Sequence, residues 1–347
     1  MDKVNPPSVS IIIPTYNSAR TLSFCLDSIS TQIYPRDLLE IIIADAGSLD
    51  GTLGIIEGFK KSSEFQNCRV VSNPLKTGEA GKAAGLKHAT KEIIALIDSD
   101  NILPEKDWLS RMMEPFQDPE IIATEPIEYT YRETDGFITR YCALIGMNDP
   151  LCMYLGNYDR YNVITGKWTE MPVIAEDKGS FLKVRLNPQK LPTIGANGFC
   201  IRHGALKKCE ITDYLFDIDV LSEILHMNPD LKVAKVKIGI IHLFSGDVST
   251  FVRKQKRRIK DFLYFSEASL RKFPWNAVSK ARLIKFVVYC LTGVPLIIQS
   301  LIGYRRKPDR AWFFHAPACW ITLFVYGWGT IWGAINPTMN SRARWRQ

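Results

Sequence analysis

Paired cysteines are missing from this 347-residue chain: its eight cysteines, at 25, 68, 142, 152, 200, 209, 290 and 319, never fall at CxxC spacing. That excludes a zinc ribbon or a dithiol redox motif, and cysteines set inside apolar runs point to buried, reduced thiols. The N-terminus, Met1 to Pro7, lacks a basic stretch followed by an apolar core. No signal peptide is therefore expected, and the globular part is expected in the cytoplasm. Acid is scarce at the far end, where residues 251–347 carry 18 Lys and Arg against 3 Asp and Glu; the first 250 residues hold 26 against 33. An acidic body with a basic, apolar tail suits an anionic membrane surface, and the tail's want of polar loops argues against a nucleic-acid partner.

The chain is 46% hydrophobic, enough for one large domain and something smaller. Short apolar runs end in turns rich in Asp, Asn, Gly and Ser: Val9 to Ile13 before Pro14-Thr15-Tyr16-Asn17-Ser18, and Leu39 to Ile43 before Asp45-Ala46-Gly47-Ser48. Arg69 to Val71 reads as a third strand and Ile93 to Ile97 as a fourth, with helical spacing between the runs. Strands alternating with helices imply βαβ units and a mostly parallel sheet with helices on both faces. In such sheets ligands sit outside the carboxyl ends of the strands. Asp98-Ser99-Asp100 lies at one of those ends. Two carboxylates two positions apart share a side of an extended segment and suit a hard divalent cation; ordinary turn or capping aspartates are the alternative.

Four stretches in order, Pro14-Thr15-Tyr16-Asn17, Asp45 to Thr52, Gly81-Lys82-Ala83-Ala84-Gly85-Leu86 and Asp98-Ser99-Asp100, resemble the motif set of family 2 glycosyltransferases over roughly residues 8–260. The resemblance implies the Rossmann-like GT-A fold and a nucleotide-diphosphate sugar donor. Pro14, Thr15, Tyr16 and Asn17 would then line the nucleoside pocket, with Gly47 in the adjoining turn and Asp45 accepting a hydrogen bond from the base. Asp98 and Ser99 would lie by the ribose and diphosphate, and Asp100 with Asp98 would bind Mg²⁺ or Mn²⁺. Lys82 would add a positive charge near the phosphates or stand as an exposed helix lysine. His242, in the apolar run from Ile240 to Phe244, would face the diphosphate and metal or be a structural histidine.

Pro192 to Phe199 resembles the family's donor-sugar and acceptor segment, with Gly195, Ala196, Asn197 and Gly198 at its centre. The family's base comes from a Glu-Asp pair ahead of a helix. Here Phe216 replaces the glutamate, so Asp217 is the expected general base and Asp219 the alternative. Residues 128–172 are rich in Tyr and carry Trp168, suited to sugar stacking or to plain packing. Phe251 to Lys260 loosely resembles the family's Gln/Arg-rich segment that closes over the donor in membrane-attached members, which adds Arg257 and Arg258 to the pocket.

The expected organisation is a catalytic domain over 1–250, basic amphipathic juxtamembrane helices over 251–280, and a membrane-anchoring region over 281–347. Uncharged runs at about 286–304 and 312–335 match the roughly 20 residues a spanning helix needs, although Pro295 interrupts the first. The basic segments before, between and after these runs cannot all face the cytoplasm across a simple two-helix hairpin. The reading is a membrane-anchored inverting glycosyltransferase on the cytoplasmic side, acting on a lipid-linked saccharide or polyprenyl (di)phosphate. The alternatives are a polyprenyl-phosphate monosaccharide synthase and a catalytically silent scaffold of the same fold.

Overall fold

The computed structural model describes residues 5–62, 65, 67–195, 197–267, 271–273 and 279–335. It divides into two compact units, Met1–Glu128 with Pro172–His242, and Tyr129–Met171 with Leu243–Gln347. This differs from the linear division expected above, because residues 129–171 fall in one unit with the chain's last third.

The first unit is built on β1 (Val9–Thr15), β2 (Leu39–Asp45) and β4 (Ile93–Leu96), with β3 (Cys68–Ser72) at one edge. The helices α1 (Leu22–Ser30), α2 (Thr52–Ser62) and α3 (Gly78–Leu86) fall between them. Every residue of β1, β2 and β4 is buried, as expected of apolar runs covered on both faces. Two polar residues inside these runs, Ser10 and Glu40, stand opposite each other in the β1–β2 register and are joined by a 2.6 Å hydrogen bond. Arg69 and Thr90 supply further donors to Glu40, so its burial is compensated.

The later elements are β5 (Asn101–Ile102), α4 (Trp108–Met113) and β6 (Ile121–Thr130); α5 (Phe137–Ile145) and α6 (Leu151–Leu155) then belong to the second unit. The chain returns with β7 (Ile174–Asp177), β8 (Phe181–Arg185), β9 (Phe199–Arg202), α7 (His203–Leu206), α8 (Asp217–Met227) and β10 (Lys232–His242). Among the described residues the sheet order is β3-β2-β1-β4-β9-β6-β10-β8-β7, with β5 on β10. The pairings among β1 to β4 are parallel, but β4–β9, β6–β9, β10–β8, β7–β8 and β5–β10 are antiparallel. The sheet is thus mixed rather than mostly parallel. β10 also starts earlier than the apolar run at 240–244 suggests and stops at His242.

Helix α3 meets β1 unusually closely. A Cβ on Gly81 would lie 2.8 Å from Pro14 Cβ, and one on Gly85 would lie 2.4 Å from Ile12 Cγ2. The i,i+4 glycines therefore make room for the strand, and Thr77 caps the helix by accepting from Ala80 N.

The second unit is helical: α5, α6, α9 (Val248–Glu267), α10 (Lys280–Thr292), α11 (Val294–Arg306) and α12 (His315–Ile335). Tyr141, Ile145, Phe251, Phe286, Trp312 and Phe314 fill its core. No single helix among the described residues is long and apolar enough to cross a membrane. The run at 286–304 breaks at Gly293 into α10 and α11, which are bent by 93°. All eight cysteines are free thiols, five of them buried.

Gly85→Ala should lower stability by about 1–3 kcal/mol through overpacking against Ile12. In urea unfolding the midpoint should fall with the slope unchanged; an unmoved midpoint would contradict the close approach.

Candidate active site

Turns leave the sheet at the carboxyl ends of β1, β2 and β4, and short polar side chains lock them together. Asp45 accepts from Gly47 N and Ser48 N through Oδ1, both at 2.9 Å, and from Thr15 Oγ1 at 2.9 Å and Ser48 Oγ at 2.7 Å through Oδ2. A carboxylate offers about four lone-pair sites, all engaged here, so Asp45 shapes the turn and a nucleobase would have to replace one of these donors. Asn17, at φ +48°, donates from its backbone to Ser48 Oγ and accepts from Leu49 N. Ser18 reaches the third turn, its Oγ lying 2.9 Å from Ser99 Oγ. Tyr16 projects partly into solvent, while Pro14 and Thr15 lie underneath.

Asn101 joins the carboxylate turn to the segment after Pro192. Its Oδ1 accepts from Asp98 N at 3.0 Å, and its Nδ2 donates to Asn197 Oδ1 at 2.8 Å. Gly198 N donates to Leu96 O, which fixes that segment to the end of β4. Gly195 N donates to Glu125 Oε1 at 2.8 Å, and Glu125 is paired at 2.6 Å with Lys235; both side chains are fully buried. A Cβ on Gly195 would stand 2.2 Å from Asp217 Cβ, so this glycine (φ +119°) lies directly against the expected base. Ala196 lies outside the described residues.

Asp217 and Asp219 occupy the first turn of α8, where carboxylates meet the positive end of the helix dipole. Asp217 is half-buried and Asp219 is 4% exposed. Lys82 is neither exposed nor isolated: its Nζ lies 2.6 Å from Asp217 Oδ2. The pairing is possible because Leu215 N bonds Glu79 O and draws the entry to α8 against α3. Burial alone would lower the Lys82 ammonium, but Asp217 and then Asp98 outweigh it and hold its pKa above the usual lysine value. Desolvation raises the Asp98 carboxyl above the usual range; Lys82 opposes that, and Asp100 adds to it.

His242 stands opposite Asn101 in the β5–β10 register, and its Nε2 lies 3.3 Å from Asp100 Oδ2. Among the described residues no group of three or more His, Cys, Asp or Glu side chains is arranged to hold a metal ion by itself. The chemistry of the cluster nevertheless fits a divalent cation. Asp217 and Asp98 lie by the Lys82 ammonium, Asp100 adjoins Asp98, and Asp98 and Asp100 are only half-buried. Mg²⁺ and Mn²⁺ are commonly held by one or two carboxylates with phosphate oxygens and water completing the shell.

Trp168, Arg257 and Arg258 belong to the second unit. Trp168 is half-buried beside the Asn162–Lys167 bridge. Arg258 donates to Asn148 O and Gln255 Oε1, whereas Arg257 is exposed near Asp261. Glu125, Lys235 and Asn101 were absent from the expected site. Charges set among apolar residues were the available signal for the first two.

The sequence pattern of Glycosyl transferase family 2 matches residues 10–206, more than half of the chain. This chain belongs to that family. The Haloferax volcanii glycosyltransferase AglE is 29% identical over 143 residues, 41% of this chain and 46% of the relative. A Methanococcus voltae dolichyl N-acetyl-α-D-glucosaminyl phosphate 3-β-D-2,3-diacetamido-2,3-dideoxy-β-D-glucuronosyltransferase is 31% identical over 109 residues, 31% of this chain and 34% of the relative. The chain thus spans less than half the length of these curated relatives. In architecture the chain is similar to mannosyltransferase PcManGT from Pyrobaculum calidifontis, solved with GDP-Man and Mn²⁺. The TM-score is 0.55 at 18% identity, covering 94% of this chain and 90% of that one. The fold is the family's α/β GT-A fold, with its mixed sheet.

Lys235→Met should strand Glu125 as an uncompensated buried charge and cost about 3–5 kcal/mol. Adding Glu125→Gln, which keeps an acceptor for Gly195 N, should recover most of that loss in chemical unfolding. A single variant as stable as the parent would contradict the pairing.

Proposed function

We propose that this chain is a metal-dependent, inverting glycosyltransferase that moves a sugar from a nucleotide-diphosphate donor to a lipid-linked saccharide or polyprenyl (di)phosphate. The observation that carries the reading is the carboxylate cluster at the strand ends, in which Asp217 and Asp98 lie by Lys82, Asp100 adjoins Asp98, and Gly195 abuts Asp217. Family membership supports the donor class, and the Methanococcus voltae relative's printed substrate supports a lipid-linked acceptor. The basic helix α9 and the apolar helices after it would attach the enzyme to the cytoplasmic face of a membrane.

The turns holding Thr15, Asn17 and Ser48 present the nucleoside, with Tyr16 beside them. Asp98 and Asp100, with His242 at hand, would hold Mg²⁺ or Mn²⁺, whose chemistry when bound is Lewis-acid neutralisation of the diphosphate. Lys82 adds a fixed positive charge on the same side. As the acceptor oxygen bonds to the anomeric carbon, its proton passes to the Asp217 carboxylate and the carbon–oxygen bond to the diphosphate breaks. Asp217 suits this role better than Asp219 because it is the more accessible and abuts Gly195, where a Cβ would close the approach. Lys82 would orient that carboxylate. An acceptor that is itself an ionised phosphate has no proton to give, and Asp217 then positions it.

Asp217→Asn should lower kcat by about 10²–10⁴-fold while donor affinity is kept. Asp100→Ala should abolish the Mn²⁺-dependent thermal shift produced by the donor. Both are read with purified protein, a panel of sugar nucleotides, Mn²⁺ and a membrane lipid extract. Absence of nucleoside diphosphate release from every sugar nucleotide would overturn the reading.

A further inference from the structure

In the second unit, α10 and α11 meet at Gly293 (φ +71°) with a 93° bend, and Pro295 lies in the first turn of the second arm. Each arm has 13 residues, about 20 Å at 1.5 Å per residue and well short of the roughly 30 Å hydrocarbon core. The bend keeps the arms from adding into one span. Apolar side chains are exposed along both, most of all at the elbow, where Leu291 is 76% and Val294 60% exposed; Ile284, Ile297, Ile298 and Leu301 continue the surface.

The two outer ends of the bent pair are cationic. Lys280, Arg282 and Lys285 lie at the start of α10, and Arg305, Arg306, Lys307 and Arg310 follow the second arm; Asp309 is the one acid between 279 and 335. Arg282 donates to Leu155 O, and Arg306 to Val163 O and Ile164 O, which ties both ends to the body of the unit. Lys280, Lys285, Arg305 and Arg310 remain exposed. Backbone groups of Cys290 and Gly293 are satisfied within the protein: Trp320 Nε1 donates to Cys290 O, Gly293 N donates to Tyr289 O, and Gly293 O accepts from Leu296 N and Ile297 N. Non-helical backbone is tolerated at membrane depth only under that condition.

We infer that the α10–α11 elbow is a re-entrant anchor: it inserts into one leaflet of an anionic bilayer and keeps both cationic ends at the same headgroup surface. Two such arms dipping symmetrically reach about 14 Å, against about 15 Å for half of the hydrocarbon core. The conflict of charge in the sequence disappears, because the basic segments before and after the pair share one side. Helix α12 does not supply a second crossing. Its Gly329 and Gly333 pack on Ile259 and Leu263 of α9, a helix whose Arg253, Lys256, Arg257 and Lys260 are exposed. This deepens the membrane attachment proposed above and rests on it, but not on the transfer reaction.

The test adds purified full-length protein from outside to sealed vesicles of phosphatidylcholine alone or with 30% phosphatidylglycerol. Flotation should favour the anionic vesicles at least tenfold and be lost in Leu291→Glu, with the circular dichroism spectrum unchanged. Arg305→Cys on intact anionic vesicles should react with a membrane-impermeant maleimide beyond the parent's labelling. Labelling that appears only after detergent would mean that the pair crosses the bilayer and would overturn the proposal. So would equal flotation with neutral vesicles, or Leu291→Glu binding like the parent. Ile297→Glu serves as a second elbow variant should Leu291→Glu alter the spectrum. Donor turnover enters none of these readings, so the anchor and the transferase assignment fail separately.

Discussion

The contact on which the candidate active site depends is the buried ion pair between Lys82 and Asp217. It spans 135 positions of sequence and joins α3, which serves the parallel half of the sheet, to α8, which lies between the antiparallel strands β9 and β10 in the chain. An ammonium and a carboxylate taken out of water on these terms are costly apart and tolerable together. The pair is therefore a weak argument for stability and a stronger one for placement. It sets the expected base beside the carboxylates at the end of β4. The glycines of α3 bring the helix close against β1, at Pro14 and Ile12, while Lys82 on the same helix is buried against Asp217.

A second buried pair, Glu125 with Lys235, performs a related task in the antiparallel half. Glu125 spends one oxygen on Lys235 and the other on Gly195 N, so an interior charge orders the segment lying against Asp217. Asn101 adds a neutral link from the Asp98 turn to Asn197. Charge and amide hydrogen bonds thus hold together a surface that no single element could form. The half-buried carboxylates outnumber the one ammonium among them, an arrangement suited to a cation carried in with a phosphate ligand.

The parallel half was readable because its strands are short apolar runs that stop at turn residues, and β1, β2 and β4 lie where those runs lie. The antiparallel half was not. β6 and β10 mix charges such as Glu125 and Lys235 into apolar sequence, and their direction depends on partners far along the chain. Lys82 looked like either a phosphate contact or a surface lysine, because helical spacing does not tell which face a glycine neighbour will press against a strand. Asp45 shows the reverse. Its place in the motif was visible, but the four donors that engage it come from Thr15 and from the turn that it shapes. The apolar run at 286–304 met a length criterion for a span. The break at Gly293 and Pro295 converts the same residues into two short arms, and the pattern alone left both outcomes open.

The most direct measurement of the central claim is anomalous X-ray diffraction from crystals of this protein soaked with Mn²⁺ and a nucleoside diphosphate. A manganese peak at Asp100, with Asp98 adjoining it, diphosphate oxygens completing the shell and the nucleoside resting on the turns of Thr15 and Ser48, is the predicted result. A nucleotide bound elsewhere, or manganese without contact to either carboxylate, would contradict the assignment of this strand-end cluster as the donor site.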